Sequence, residues 1–518
     1  MKKSITLLSI LIAFMACGKD NLVLEKPLSD VENNEIKVDL KITRTDDFGS
    51  TKATVKSAFA NNDVVYIFFK GIEAPKYLEM KYNSGTDSWS STLKNSLVSS
   101  DISSAADKKM TAIYLPYGNT ATVAASGTDF VFSDLTYTGY FLTAEQVNYT
   151  YAGGVLSGTL NMIAPTLSNA SDKLIHFDAS GFTSGHNYKL SLDYVKPLSF
   201  VNVSAEGIIT NDEGTIGDYI TGYEDGSMLS FSGILDASAV GNAVDYQFTI
   251  DDVTTSILYT RDAGTKTLSE SKYIGIGAIN NSSVWNAFEY VDLGLPSGIR
   301  WAKCNLGASS ETDYGDYYAW GLTYPYYEIG YARENPQAHW RANETIAGYL
   351  KSYSSYGYKW ESYKYCMGQS NRLTKYCTNS NMGYEGFTDG KTTLEPEDDA
   401  AKENMKGRWR IPTKNNIEEL CSNSNCTWTS QTDYNGSGVN GYLVTSKSNG
   451  NSIFLPAVGY YTIKELVESS DHFVSAYWSS TLTSSSQFAY RLGFSSTSYG
   501  LRSDDERTHG FNIRPINH

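Results

Sequence analysis

Several common chemical signatures are missing from this chain of 518 residues. It has six cysteines and six histidines. Cys421 and Cys426 have no second Cys or His pair at ligand spacing, and His472 and His509 lie far off in sequence, so no zinc site is expected. Basic charge is scarce too: 42 Lys and Arg stand against 57 Asp and Glu, a formal net charge of -15. Without a basic cluster the chain lacks the cationic footprint that nucleic acid and anionic membrane surfaces require, so no nucleic-acid partner is expected. No apolar run, that of the first residues included, reaches the length of a spanning helix. Long Ala/Leu/Glu/Lys stretches are absent, which excludes a largely helical fold. A Ser nucleophile elbow, a phosphate-cradling Gly loop and a His/Glu metal motif are missing as well. An enzyme is therefore not expected, and no cofactor is called for.

What is present favours strands. Tyr (39) and Gly (43) are abundant, with many Ser and Thr. From about residue 36 to 283, runs such as VVYIFF (64–69), KMTAIYLPY (109–117), KLSLDYV (189–195), LSFVNVSA (198–205), YQFTI (246–250) and YIGIGAI (273–279) are separated by Gly, Asn and Asp turns. That pattern predicts β-sandwiches, and its length fits two in tandem. The boundary is placed near 170, in Ser168-Asn169-Ala170-Ser171-Asp172. At the start, Lys2 and Lys3, the apolar stretch from Ile5 to Phe14 and Met15-Ala16-Cys17 read as a secretory signal. Cys17 resembles the acceptor of a lipoprotein cleavage box, with Phe14 where that box prefers Leu. Gly18-Lys19-Asp20-Asn21 then resembles a surface-export signal of Bacteroidetes lipoproteins, or is simply a polar tether.

The last third carries a more specific resemblance. VDLGLPSGIRWAKCNLGA (291–308), RWRIPT (408–413), NSIFLPAVGYY (451–461), YWSST (477–481) and FNIRPI (511–516) occur in that order. Together they resemble the Fibrobacter-type major paralogous domain of secreted Bacteroidetes proteins. That resemblance implies a C-type-lectin-like fold with a ligand-binding face. Upstream, KVDLKITRT, then SAFANNDVVYIFF (57–69) and KYNSGTDSWSS (81–91), are similar to the fimbrillin-like pilins of Bacteroidetes. This second resemblance implies two tandem transthyretin-like sandwiches behind a lipid-bearing tether. It also implies a removable first strand near 36–44, with trypsin-like maturation after Arg44; Lys41 and Lys52 are nearby alternatives, and a solvated strand-end charge is the plain reading. The expected organisation is signal peptide and lipobox 1–17, tether and first strand 18–44, sandwiches 45–170 and 171–284, and an α+β C-type-lectin-like domain 285–518. Strands 290–304 and 511–516 are expected to close that domain on itself, with no partner strand required.

Within the last domain, Thr413 predicts an N-cap for a helix reaching Cys421, and Pro396 a short helix that Gly407 ends. Glu395, Glu397, Asp398, Asp399 and Asp389 could hold calcium, or the acids could simply serve the helix start. In an oxidising compartment Cys366 with Cys377 is the preferred bridge and Cys304 with Cys426 a second candidate; five thiols beyond Cys17 leave at least one free. The long loop expected before the last strand offers Tyr490, Tyr499, Arg502, Asp504, Asp505, Arg507 and His509, a set suited to a glycan or a protein epitope.

The residues after YIGIGAI run directly into this domain, so the place of a donor strand is taken. The expected protein is therefore an adhesin at a fimbrial tip, bound to the outer membrane through its lipid, that accepts strands from other fimbrial subunits. The alternative is a surface glycan-binding lipoprotein that never polymerises.

Overall fold

The computed structural model describes residues 36–44, 59–115, 121–133, 141–167, 169–268, 272–325, 345–346, 349–350, 358–462, 465–467 and 473–518. The signal, Cys17 and most of the tether lie outside the described residues. The fold is mainly β. The first region contains β1 (Lys37–Arg44), β2 (Val64–Phe69), β3 (Tyr77–Asn83), β4 (Ser88–Lys94), β5 (Lys109–Leu115), β6 (Thr122–Ser126), β7 (Asp129–Ser133), β8 (Leu142–Ala152) and β9 (Val155–Met162), with a short helix α1 (Ser99–Ser104). One sheet runs β1-β9-β8-β5-β2-β3-β4. It folds over itself because β8 is divided: its first half pairs with β5 and its second with β9. Gln146, with a φ of 55°, is a bulge in the ladder to β5, and the change of partner follows Asn148. Every residue of β2 is buried. Val65, Ile67 and Phe69 meet Ile42, Leu156 and Leu160 across the fold, while Val64, Tyr66 and Phe68 face a second sheet. Cover on both faces is why this strand reads as a continuous apolar run.

The second region contains β10 (Lys173–Ser180), β11 (Tyr188–Leu192), β12 (Val195–Lys196), β13 (Leu198–Val203), β14 (Ile209–Glu213), β15 (Ile220–Thr221), β16 (Tyr223–Asp225), β17 (Met228–Leu235), β18 (Ala243–Asp252), β19 (Ile257–Thr267) and β20 (Lys272–Ala278). Two of these strands cross the boundary expected near 170. β13 pairs with β7, so the second sheet of the first sandwich runs β14-β13-β7-β6. A cut at 170 would split that sheet. The rest form the second sandwich, with β12-β17-β10-β20 packed on β15-β11-β18-β19 around Phe177, Phe231, Phe248 and Ile250.

The third region contains β21 (Asn286–Asp292), β22 (Arg300–Ala302), β23 (Thr345–Ile346), β24 (Tyr349–Leu350), α2 (Ala400–Met405), α3 (Lys414–Cys421), β25 (Cys426–Gln431), β26 (Gly441–Ser446), β27 (Ser452–Pro456), β28 (Tyr460–Thr462), β29 (Glu465–Val467), β30 (Ser475–Leu482), β31 (Phe488–Ser495), β32 (Ser498–Glu506) and β33 (Ile516–Asn517). Thr413 caps α3 as expected, its side chain accepting from the Asn416 N–H. A 3-10 turn at Pro396–Asp398 leads into α2, which Asp399 caps.

The domain does close on itself, since Trp301 pairs with Ile516 and Arg300 with Asn517. β21 pairs antiparallel with β19, from Ile257 opposite Glu289 to Thr260 opposite Asn286, and on its other side with β22. One sheet, β15-β11-β18-β19-β21-β22-β33, thus runs from the second sandwich into the C-terminal domain, so β21 has a neighbouring strand outside that domain. Side chains reinforce the seam. Arg300 pairs with Asp251, and the Thr260 hydroxyl donates to the Met405 carbonyl. At Gly407 (φ 57°) a Cβ would sit 2.4 Å from Thr249 Oγ1 and 2.7 Å from Thr260 Cγ2, so only glycine allows this approach. Among the described residues no helix is long and apolar enough to cross a membrane.

Candidate functional site

The segment expected to form a long loop before the last strand is largely a hairpin. β31 and β32 pair with Phe494 opposite Tyr499, Leu492 opposite Leu501 and Arg491 opposite Arg502. Side chains alternate between the two faces of such a hairpin, and that alternation divides the seven expected ligand residues. Tyr490 and Tyr499 share a face with Leu492, Phe494 and Leu501. Tyr490 lies beneath the Lys414 ammonium, 5.0 Å from the ring centre. Tyr499 stacks on Trp428 with centroids 4.3 Å apart, and its hydroxyl donates to Asn423 Oδ1 at 3.0 Å. Arg502 lies on the other face, with Arg491 and Asp505. The seven do not form one site.

Arg507 must be reassigned outright. It is 0% exposed, and its guanidinium donates to the carbonyls of Tyr376 (2.9 Å), Ser486 (3.0 Å) and Lys375 (2.9 Å). It also lies over the rings of Tyr363 and Trp320, at 5.1 and 5.6 Å. A buried cation with this many acceptors ties loops together and is closed to a ligand.

Asp504, Asp505 and His509 do come together, around Arg491. Arg491 Nε pairs with Asp505, and His509 Nδ1 lies 3.6 Å from the same carboxylate. Burial alone would raise the Asp505 carboxyl, but His509 and Arg491 outweigh it and hold it below its ordinary range. The Asp504 side chain is 79% exposed beside them. Aromatic residues that the sequence reading left unassigned contact the chain neighbours of this group, Glu506 and Gly510. Trp360 Nε1 donates to Glu506 Oε2 at 3.0 Å. The Tyr461 and Gly510 backbones exchange hydrogen bonds at 2.8 and 2.9 Å, which places Tyr461 beside Tyr317 and Tyr358, with centroids 4.8 and 5.5 Å away. Trp360, Tyr317, Tyr460, Tyr461, Arg491 and His509 are all half-buried. Rings with a polar rim of this kind can stack on a sugar or an apolar side chain while Asp504, Asp505 and His509 meet its hydroxyls or amides. The available signal was the Tyr-rich stretch from 314 to 384, which has no period to show which rings come together.

The acids near α2 are not gathered into one ligand set. Asp399 accepts the N–H groups of Ala401, Lys402 and Ile411 at 2.9, 3.1 and 2.8 Å. Asp389 accepts those of Tyr376, Cys377 and Lys391 at 2.7, 2.9 and 3.1 Å. Glu395, Glu397 and Asp398 do converge, but on the Lys375 ammonium, 2.6 Å from Glu395 and 3.3 Å from Glu397. Lys375 and Lys391 hold the Glu395 carboxyl down at about 2.

The expected disulfides are not formed. Cys304, Cys366, Cys377, Cys421 and Cys426 are all free thiols. The Cys366 thiol donates to the Trp360 carbonyl at 3.0 Å and that of Cys377 to the Asn379 carbonyl at 3.1 Å, so the two are turned to separate acceptors. Burial pushes Cys421 up to about 12 and Cys426 up to about 11, which keeps both protonated and unreactive.

Arg44 closes β1, which among the described residues is an edge strand paired in parallel with β9. It is not a solvated strand-end charge. Its Nη1 donates to the Tyr114 hydroxyl at 2.9 Å, and its guanidinium lies 5.2 Å from the Tyr114 ring and 6.0 Å from that of Phe59.

No known protein family and no curated protein matches the chain. Among solved structures, a crystal structure provisionally titled a cell adhesion protein, from Bacteroides fragilis NCTC 9343, is similar at 10% identity and a TM-score of 0.22. The match covers 49% of this chain and 96% of that one. A likeness this faint assigns no function.

Proposed function

We propose that the chain is a surface adhesin carried at the end of a fimbrium, with a binding rather than a catalytic role. The observation that carries this reading is the pairing of β21 with β19. The segment that follows β20 is built into a shared sheet instead of remaining an extended arm that a neighbouring subunit could receive. At the other end, β1 sits at a sheet edge with Val38, Leu40 and Ile42 turned towards the first core and Lys37, Asp39 and Lys41 exposed. Its removal after Arg44 would open a groove along β9 lined by Leu156 and Leu160, where a donated strand could bind by β-augmentation. A subunit that accepts a strand and offers none ends a fibre. The C-terminal domain would then present the rings around Tyr461 and the Asp504, Asp505 and His509 group to a glycan or protein ligand; before the cut, a lipid on Cys17 would hold the chain at the outer membrane.

Electron microscopy of surface fibres, labelled with antibody to residues 285–518, tests the reading. Label confined to fibre ends is expected. Label along the shafts would make the chain a stalk subunit, and label on the cell surface away from fibres would make it a lipoprotein that does not polymerise.

A further inference from the structure

We infer that Arg44 is a latch that holds β1 in its groove through the Tyr114 hydroxyl and the buried carboxylate of Asp63. The inference rests on the reading of β1 as a removable strand and deepens it, by naming what keeps the strand in place. Among the described residues β1 bonds to a neighbour on one side only, along the ladder from Lys37 opposite Val155 to Arg44 opposite Met162. Its apolar grip is modest, since Val38 and Leu40 are only half-buried and Ile42 is 9% exposed. An edge strand held in this way is drawn from the low-stability end of a fold.

The last residue of the strand makes a contact of another kind. The Arg44 guanidinium donates to the Tyr114 hydroxyl at 2.9 Å, and that hydroxyl donates in turn to Asp63 Oδ2. The same oxygen accepts the Ala60 N–H at 2.8 Å. Asp63 and Tyr114 are both 0% exposed. Tyr114 belongs to the central strand β5, and Asp63 immediately precedes β2, so one side chain of the edge strand is tied to the two strands at the middle of the sheet. A carboxylate out of water needs donors and positive charge close by, and hydrogen bonds in series polarise one another. Withdrawing β1 takes the cation out of this series and weakens the bond through which Tyr114 reaches the buried carboxylate. Arg44 also loses its place over the Tyr114 and Phe59 rings, a cation–π contact. Opening of the strand is therefore tied to this polar series at its end.

Hydrogen exchange of the full chain, read by mass spectrometry on peptides covering residues 37–44, tests the latch. In Arg44→Gln and in Tyr114→Phe these amides should exchange at least about tenfold faster than in the wild type, because a charge-assisted hydrogen bond in a buried series is lost. Peptides from β2 and β5 should keep their protection in Arg44→Gln. Unchanged exchange at 37–44 in Arg44→Gln overturns the latch, and since that change lies on an edge strand it decides the matter even where Tyr114→Phe disturbs folding. The wild type judges the underlying reading separately: a β1 that exchanges only as slowly as the centre of β2 is not a removable strand.

Discussion

Arg300 of the C-terminal domain pairs with Asp251 of the second sandwich in a seam closed to water on the acid's side. The Asp251 side chain is 0% exposed, and the Tyr290 hydroxyl donates to its other oxygen at 3.0 Å. The guanidinium also lies 4.8 Å from the Tyr290 ring and 5.6 Å from that of Tyr219. Burial raises the Asp251 carboxyl, and Arg300 is the strongest influence opposing it. Arg300→Met should therefore leave an uncompensated buried charge and cost about 3–5 kcal/mol. Thermal unfolding should show the second sandwich and the C-terminal domain weakened together. Adding Asp251→Leu should recover much of the loss, since it removes the stranded charge. A single variant with wild-type stability would mean that the pair holds nothing together.

Asp399 supplies a dependence on pH. Burial pushes its carboxyl from 3.8 up to about 6 against the pull of three backbone N–H donors. A raised acid favours the folded state while it stays protonated, so its contribution is fully present below about pH 4 and is lost as pH rises through about 6. Asp399→Asn cannot titrate. Relative to the wild type it should gain about 2–3 kcal/mol between pH 4 and pH 7, on top of any fixed cost from the altered bond to Ile411. Urea unfolding of both proteins at the two pH values measures this, and a constant difference would contradict it.

The cysteines give a count. Titration of the unfolded, unreduced chain should find the thiols of Cys304, Cys366, Cys377, Cys421 and Cys426 all reactive, and reductant should leave its electrophoretic mobility unchanged. A deficit of two thiols would restore a disulfide.

Arg507 separates a core role from a binding one. Arg507→Ala removes three donors from buried carbonyls and opens a hole between Trp320 and Tyr363, so the C-terminal domain should lose at least about 3 kcal/mol. His509→Ala, half-buried at the proposed ligand face, should cost far less stability and instead lower adhesion to cells. A fully stable Arg507→Ala would return that residue to the surface.

What could be read from the residues was mostly local. Thr413 and Pro396 mark helix starts because a cap acts within one turn, and VVYIFF announces a buried strand whatever its neighbours. The pairings of β13 with β7 and of β19 with β21 were hidden. Each joins segments whose own patterns are satisfied equally well by other partners. Arg507 was misread for a related reason: its acceptors at 375, 376 and 486 are distant in sequence, and an arginine among Asp, Thr and Gly looks exposed until they converge on it. The alternation in YRLGFSSTSYGLRSD (490–504), two apolar-patterned arms about a Ser/Thr turn, could have shown the hairpin and the division of Tyr499 from Arg502.

The unity of the second sandwich and the C-terminal domain is tested most directly by the thermal unfolding of residues 285–518 expressed alone, compared with the same domain in the full chain. Cut free, β21 loses its ladder to β19, and both Tyr290 and Arg300 lose Asp251. The isolated domain should fail to fold or should melt at least about 10 °C lower. An isolated domain that melts at the temperature it shows in the full chain would contradict the account, making the C-terminal domain a separate module on a linker.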